Sequence, residues 1–270
     1  MTTDHSSIPN LARMEAVSCA WSKEGKGPPL LLIHGIGAAR NTWAKLMPQL
    51  TATFTVVTYD LRGHGASPSG EGIFNLDHLV LDVEAVRQAA GIDTMHLAGH
   101  SLGGMIGPAY ARAFPQRVKS LGLLSTAAFR TEQDSQNVWA VVRAMEEKGI
   151  PQVLERLSDR WFTDAFIQSN LDMVKARLKQ VVETDPDVFL NVFRIYAGTE
   201  MAPWLDEIAV PSLVLTGEND GGCPPRLNQQ MADAMTDAEL VILPEFKHSL
   251  LLEAGEQVAK HIIRFINHLS

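Results

Sequence analysis

Only two cysteines, Cys19 and Cys223, occur in the 270 residues. Neither belongs to a C-x-x-C pair, and no ligand spacing of the zinc type appears, so no metal site is expected. Two isolated thiols in a chain with no secretory start are expected to stay reduced. Met1 to Asn10 is polar and lacks a basic start followed by an apolar stretch, so a signal peptide is not expected. No apolar run approaches the ~18 residues that would suggest a membrane span. No basic run is present either. The formal net charge is −8, which repels phosphate backbones and argues against nucleic acid as a partner. What is left is a cytoplasmic chain acting on a small-molecule substrate, with no membrane partner. The sequence carries no signal of oligomeric state.

The chain shows no internal repeat and no low-complexity linker. Its length suits a single α/β domain. Short apolar runs recur: Leu30-Leu31-Leu32-Ile33, Thr55-Val56-Val57, Met95-His96-Leu97-Ala98, Leu121-Gly122-Leu123-Leu124, Leu213-Val214-Leu215 and Leu240-Val241-Ile242-Leu243. Runs this short, bounded by Gly, Pro or Asp, suit strands buried on both faces of a parallel sheet. Between them lie stretches of helical spacing, Leu76 to Ala90, Leu102 to Phe114, Pro225 to Met235 and Glu253 to Leu269. The alternation predicts a mostly parallel central sheet flanked by helices. Residues 12–23 alternate loosely and predict an early antiparallel hairpin. From Ala127 to Leu205 the spacing is helical throughout, which predicts an inserted helical cap (127–205) between two parts of a core (1–126 and 206–270). Such a cap would lie over the carboxyl edge of the sheet, where open α/β sheets place ligands.

Gly99-His100-Ser101-Leu102-Gly103 fits G-x-S-x-G between a strand-like and a helix-like segment. Small residues let the chain turn tightly there, and the turn holds the Ser101 hydroxyl out of the backbone network as a nucleophile. His34-Gly35-Ile36-Gly37 follows an earlier strand. Backbone N–H groups of Ile36 and Leu102 are the candidates to receive a tetrahedral oxyanion. The general base should follow the last strand, which selects His248 among nine histidines. Asp220, just after Leu213 to Thr216, is chosen to orient it, with Glu218 as its nearest rival. Asp220 could instead simply form a turn with Gly221-Gly222. Trp139, Trp161, Phe162 and Phe166 are candidates for an apolar roof, or else cap core. Arg130, Arg160 and Arg194 are candidates to hold a substrate carboxylate.

These motifs, in this order, resemble the α/β-hydrolase superfamily from about Leu30 to Leu269. Tyr59-Asp60-Leu61-Arg62-Gly63-His64-Gly65-Ala66-Ser67 looks like the family's D-x-R-G-x-G-x-S loop, and Phe114-Pro115-Gln116-Arg117-Val118 resembles its usual approach to the following strand. Within the superfamily the chain looks most like the 3-oxoadipate enol-lactonases. The resembling stretches are His34 to Gly37, Gly103 to Gly107, Ser125 to Ala128 and Arg160 to Thr163. The resemblance implies a serine hydrolase that opens an ester or enol-lactone with water and needs no cofactor. Cleavage of a C–C bond or an amide by the same machinery, or a non-catalytic small-molecule receptor, would carry the same motifs.

Overall fold

The computed structural model describes residues 14–269. Seven strands form one sheet: β1 (Trp21–Glu24), β2 (Pro29–Ile33), β3 (Thr55–Tyr59), β4 (Met95–His100), β5 (Val118–Leu124), β6 (Ser212–Gly217) and β7 (Ala238–Leu243). Their spatial order is β1-β3-β2-β4-β5-β6-β7. All neighbours are parallel except β1, which lies antiparallel to β3 with Trp21 opposite Tyr59. No hairpin forms within residues 14–23, and residues 12 and 13 of that expectation lie outside the described residues. The alternation there reflects an edge strand that pairs with a distant partner.

The wholly apolar runs are explained by two cores, one on each face. Along β2, Leu31 and Ile33 join a cluster with Val83, Leu97 and Ile106. Leu30 and Leu32 point the other way, toward Trp43, Val258 and Ile262. A strand with apolar neighbours on both faces needs no polar alternation. The helices behind these clusters are α1 (Met47–Leu50), α2 (Leu76–Ala89) and α3 (Gly103–Ala113), and, near the C-terminus, α9 (Pro225–Ala234), α10 (Leu250–Glu253) and α11 (Gly255–Asn267). The exception is β7, most of whose residues are only half-buried and whose Ile242 is exposed. With β6 as its only partner among the described residues it is an edge strand, so the expectation of burial on both faces fails there.

Between β5 and β6 the chain builds five helices: α4 (Glu132–Lys148), α5 (Ile150–Trp161), α6 (Asp164–Ser169), α7 (Leu171–Glu183) and α8 (Pro186–Gly198). Side chains accept backbone N–H bonds at three of their starts: Thr131 at α4, Thr163 at α6 and Asp185 at α8. Each cap satisfies donors that the first helical turn leaves unpaired. Gly149, at φ 85°, ends α4 and turns the chain into α5. These helices have a core of their own, in which Met145, Leu154, Val181 and Phe189 meet. No helix among the described residues is long and apolar enough to cross a membrane.

Candidate active site

The site begins at the end of β4. Ser101 takes φ 56°, a left-handed conformation that costs a non-glycine residue roughly 1–3 kcal/mol. The turn is tolerated because Gly99 and Gly103, two residues to either side, carry no side chain. A Cβ on Gly99 would lie 2.0 Å from the Gly103 carbonyl oxygen, and one on Gly103 would lie 2.2 Å from the Ile33 oxygen. Ser101 N–H donates to the Leu124 carbonyl at 2.9 Å, which ties the elbow to β5. The Ser101 hydroxyl has no hydrogen-bond partner among the described residues, and the side chain lines a cavity of about 240 Å³.

His248 lines the same cavity. Its Nδ1–H donates to Asp220 Oδ2 at 2.8 Å. Burial disfavours the imidazolium, but the Asp220 charge and hydrogen bond outweigh it and hold His248 well above the ordinary histidine value. Asp220 is buried, which by itself raises a carboxyl. The His248 charge, the bond from His248 and the backbone N–H groups of Cys223 and Gly222 overcome this and lower it. Those amides donate to Asp220 Oδ1 at 2.8 and 2.9 Å. The two readings of Asp220 therefore coexist: one oxygen makes the turn, and the other meets His248. Glu218 points elsewhere and accepts the Glu245 N–H at 2.9 Å.

His100, read from the sequence only as part of the elbow, anchors the opposite loop. Its Nε2–H donates to the His248 carbonyl at 3.0 Å. Burial, with the nearby His248 charge adding to it, lowers His100 to about 3, so the ring stays neutral.

The loop after β2 approaches Ser101 closely: a Cβ on Gly35 would lie 3.0 Å from the Ser101 Cβ. Leu61 N–H donates to His34 Nε2 at 2.9 Å, so the His34 proton sits on Nδ1, 2.8 Å from the Gly35 oxygen. In a trans peptide that carbonyl points opposite to the Ile36 N–H. Among the described residues neither the Ile36 nor the Leu102 N–H has a partner. Ile36 lines the cavity, whereas Leu102 is fully buried and does not. The D-x-R-G-x-G-x-S loop serves as scaffold below: Asp60 accepts from Arg40 and Ala66 amides, and Arg62 grips Asp82 through Nε and Nη2 at 2.6 and 2.7 Å.

The roof partly differs from expectation. Trp161, Arg130 and Arg160 line the cavity, whereas Trp139, Phe162 and Arg194 do not. Phe162 is fully buried and stacks on Phe166. Trp139 packs on Gly198. Arg194 is turned outward to pair with Glu146 at 2.6 Å. A sequence window cannot tell which way a cap helix faces; packing against neighbouring helices decides that. The cavity also takes Val138, Phe189, Phe193, Tyr196, Arg177 and Arg226, none of which was singled out for the site. Arg226 pairs with Asp134 at 2.5 Å across the rim. Asp220, Cys223 and His248 place a carboxylate, a thiol and an imidazole within 4.8 Å of one another. That donor set is occupied by its own hydrogen bonds, including one between Cys223 Sγ and the Tyr196 hydroxyl at 3.2 Å.

Comparison with known proteins agrees with this architecture. Residues 28–255 match the family model described as alpha/beta hydrolase fold. The chain is 30% identical over 249 residues to the dihydrolipoyllysine-residue acetyltransferase component of the acetoin cleaving system of Pseudomonas putida, covering 89% of this chain and 64% of that protein. It is 27% identical over 206 residues to 3-oxoadipate enol-lactonase 2 of Acinetobacter baylyi, covering 76% of each. A crystal structure of the enol-lactonase from Burkholderia xenovorans LB400 superposes with a TM-score of 0.86 at 23% identity, over 94% of this chain and 99% of that one. With a family model spanning most of its length and the elbow, His248 loop and sheet order in place, the chain belongs to the alpha/beta hydrolase fold family.

Proposed function

We propose that this chain is a cofactor-independent serine hydrolase that cleaves a small ester or enol-lactone, and that residues 127–205 act as its specificity cap. One observation carries the reading. A strained serine with a free hydroxyl shares a cavity with a histidine whose other nitrogen is bonded to a buried carboxylate. Ser101 Oγ attacks the carbonyl carbon and its proton passes to His248. The oxyanion is received by the Ile36 and Leu102 amides, which have no partner among the described residues. Collapse expels the alcohol or enolate oxygen, which takes the proton from His248. Water then attacks the acyl-serine, gives a proton to His248, and the serine leaves with that proton. Asp220 keeps the imidazole oriented and balances its charge. The relatives named as 3-oxoadipate enol-lactonases support the choice of a lactone or ester.

Arg130 supports a substrate with a carboxylate. Its Nη1 donates to the Tyr196 and Thr199 carbonyls at 3.1 and 3.0 Å, and the guanidinium lies 4.5 Å from the Tyr196 ring centroid. Its Nε and Nη2 are buried and have no partner among the described residues. The same edge in Arg62 grips Asp82. Arg160 lines the cavity as well.

The test is hydrolysis of 3-oxoadipate enol-lactone and of a neutral ester, p-nitrophenyl acetate. Ser101→Ala should lose at least about 10³-fold in kcat on any true substrate; full turnover by this variant would end the serine reading. Arg130→Met should raise KM for the carboxylated lactone alone. An equal effect on the neutral ester would remove the carboxylate assignment. Product identification separates ester or lactone cleavage from C–C or amide cleavage, and tight retention of a ligand without turnover would favour a receptor.

A further inference from the structure

The candidate oxyanion loop is held from two sides, and one side belongs to the cap. Peptide 36–37 offers its N–H to His64 Nε2 at 3.1 Å. Its carbonyl, that of Ile36, accepts Arg177 Nη2 at 3.0 Å, and the next carbonyl, of Gly37, accepts Arg177 Nη1 at 2.6 Å. His64 is a fixed brace: its Nδ1–H donates to the Arg62 carbonyl at 3.0 Å, and burial lowers the ring to about 4, so it stays neutral. Arg177 lies on α7, some 140 residues away in sequence. The two bonds go to the carbonyls of successive peptides, so one planar fork fixes both relative to each other and to α7. The Ile36 N–H lies one peptide before the first of them, so its direction depends on how that pair is held.

Arg177 also reaches the opposite side of the cavity. Its guanidinium lies 5.6 Å from the Trp161 ring centroid. The Trp161 carbonyl accepts the Ser249 N–H at 2.9 Å, immediately after His248. Lys247, immediately before His248, donates to the Asp159 carbonyl at 2.8 Å and pairs with Asp164 at 3.2 Å. The corner between α5 and α6 is thus fastened to the His248 loop, and Arg177 joins that corner to the loop after β2. Gly37 permits the junction: at φ 60° it has no side chain where a Cβ would lie 2.7 Å from Phe189.

We propose that Arg177 is a positioning residue for the oxyanion amide, coupling seating of the cap to assembly of the oxyanion site. The proposal rests on the serine-hydrolase reading above. Arg177 holds the Ile36 peptide in the orientation that meets the developing oxyanion, while two of its own N–H groups are spent on the Ile36 and Gly37 carbonyls. Its loss should therefore weaken transition-state binding more than ground-state binding.

The experiment compares wild type, Ser101→Ala, Arg177→Lys, Arg177→Met and Arg177→Gly on p-nitrophenyl acetate, a neutral ester that needs no cationic clamp. Affinity for a phenylboronic acid, which becomes tetrahedral on the serine, is measured alongside. Arg177→Met should lower kcat by about 10- to 100-fold, within the range for disturbing one oxyanion donor, with KM changed less than about threefold. Boronate affinity should fall in parallel with kcat/KM, and the acid limb of the pH profile should stay in place. Arg177→Lys should recover part of the loss, and guanidinium ion should rescue Arg177→Gly, which guards against a variant that merely packs poorly. Wild-type kcat and boronate affinity in Arg177→Met would overturn the proposal, as would a rise in KM alone or an absence of rescue by both lysine and guanidinium. If Ser101→Ala turns over as fast as wild type, the underlying hydrolase reading fails instead. If Ser101→Ala is inactive while Arg177→Met is unimpaired, only the role of Arg177 fails.

Discussion

Asp220 uses both of its oxygens, and the consequence is a histidine held basic. The Cys223 and Gly222 amides fix Oδ1, which leaves Oδ2 to face His248 and raise it well above its ordinary value. Under the proposed mechanism His248 must be neutral to take the serine proton, so kcat/KM should rise with pH through that raised value. Asp220→Asn removes the charge that favours the imidazolium. The acid limb should then move to lower pH while kcat falls by about 10³–10⁴-fold, because the wrong tautomer is held. A kcat/KM profile across pH 5 to 10 reads both effects; an acid limb that stays put would show that Asp220 does not set the histidine. Of these residues, Ser101, Asp220 and His248 could be picked from the sequence because each follows a strand in a fixed order. His100 and Arg177 could not, since their partners lie 148 and 140 or more residues away.

Among the elements, the turn from β4 into α3 is the most constrained. Of the four non-glycine residues at positive φ among the described residues, Ser101 and Ser125 follow β4 and β5, and Glu245 follows β7. Strain thus gathers at the carboxyl edge, where the cavity opens. Gly103→Ala would press a methyl group against the Ile33 carbonyl, 2.2 Å away, and neither backbone can retreat without parting α3 from β2. A loss of about 3 kcal/mol or more is expected, read as a lower urea midpoint; an unchanged midpoint would mean the elbow can relax. Phe189 on α8 does for the cap what the glycines do for the elbow. It is fully buried among Met145, Leu154 and Val181, and it abuts Gly37. Phe189→Ala should cost about 3–5 kcal/mol if the cap and core melt together. An early separate transition in calorimetry would show instead that the cap unfolds by itself.

The whole molecule should be sensitive to acid. Burial lowers His34 well below its ordinary value, His64 and His96 to about 4 and His100 to about 3. In the unfolded chain these rings gain protons near pH 6.5. Between pH 6.5 and 4 the unfolded state therefore binds more protons than the native state, and stability falls as pH falls. His248 acts in the opposite sense: its raised value contributes stability that is complete below pH 6.5 and lost as pH rises through the native value. Burial lowers His78 and His261 as well, and six rings against one should leave a net loss on acidification. Urea midpoints between pH 7.5 and 5 check this, and a flat or rising midpoint at the acid end would contradict it.

Strand and helix order, the elbow and the chain order of serine, carboxylate and histidine were determined by the sequence itself. Each depends on neighbours: a short apolar run between turn residues, a glycine on either side of a bend, a polar residue at the end of a strand. The direction of a cap side chain is not set that way. Arg194 and Arg130 occupy similar helical or pre-helical surroundings, yet one turns to Glu146 at the surface and the other lies over Tyr196 in the cavity. The pairing of β1 with β3 and the clamp of Arg177 on the Ile36 and Gly37 carbonyls were likewise decided only by tertiary structure. Those contacts join segments whose separation carries no periodic signal, and packing alone selects which distant partner each group meets.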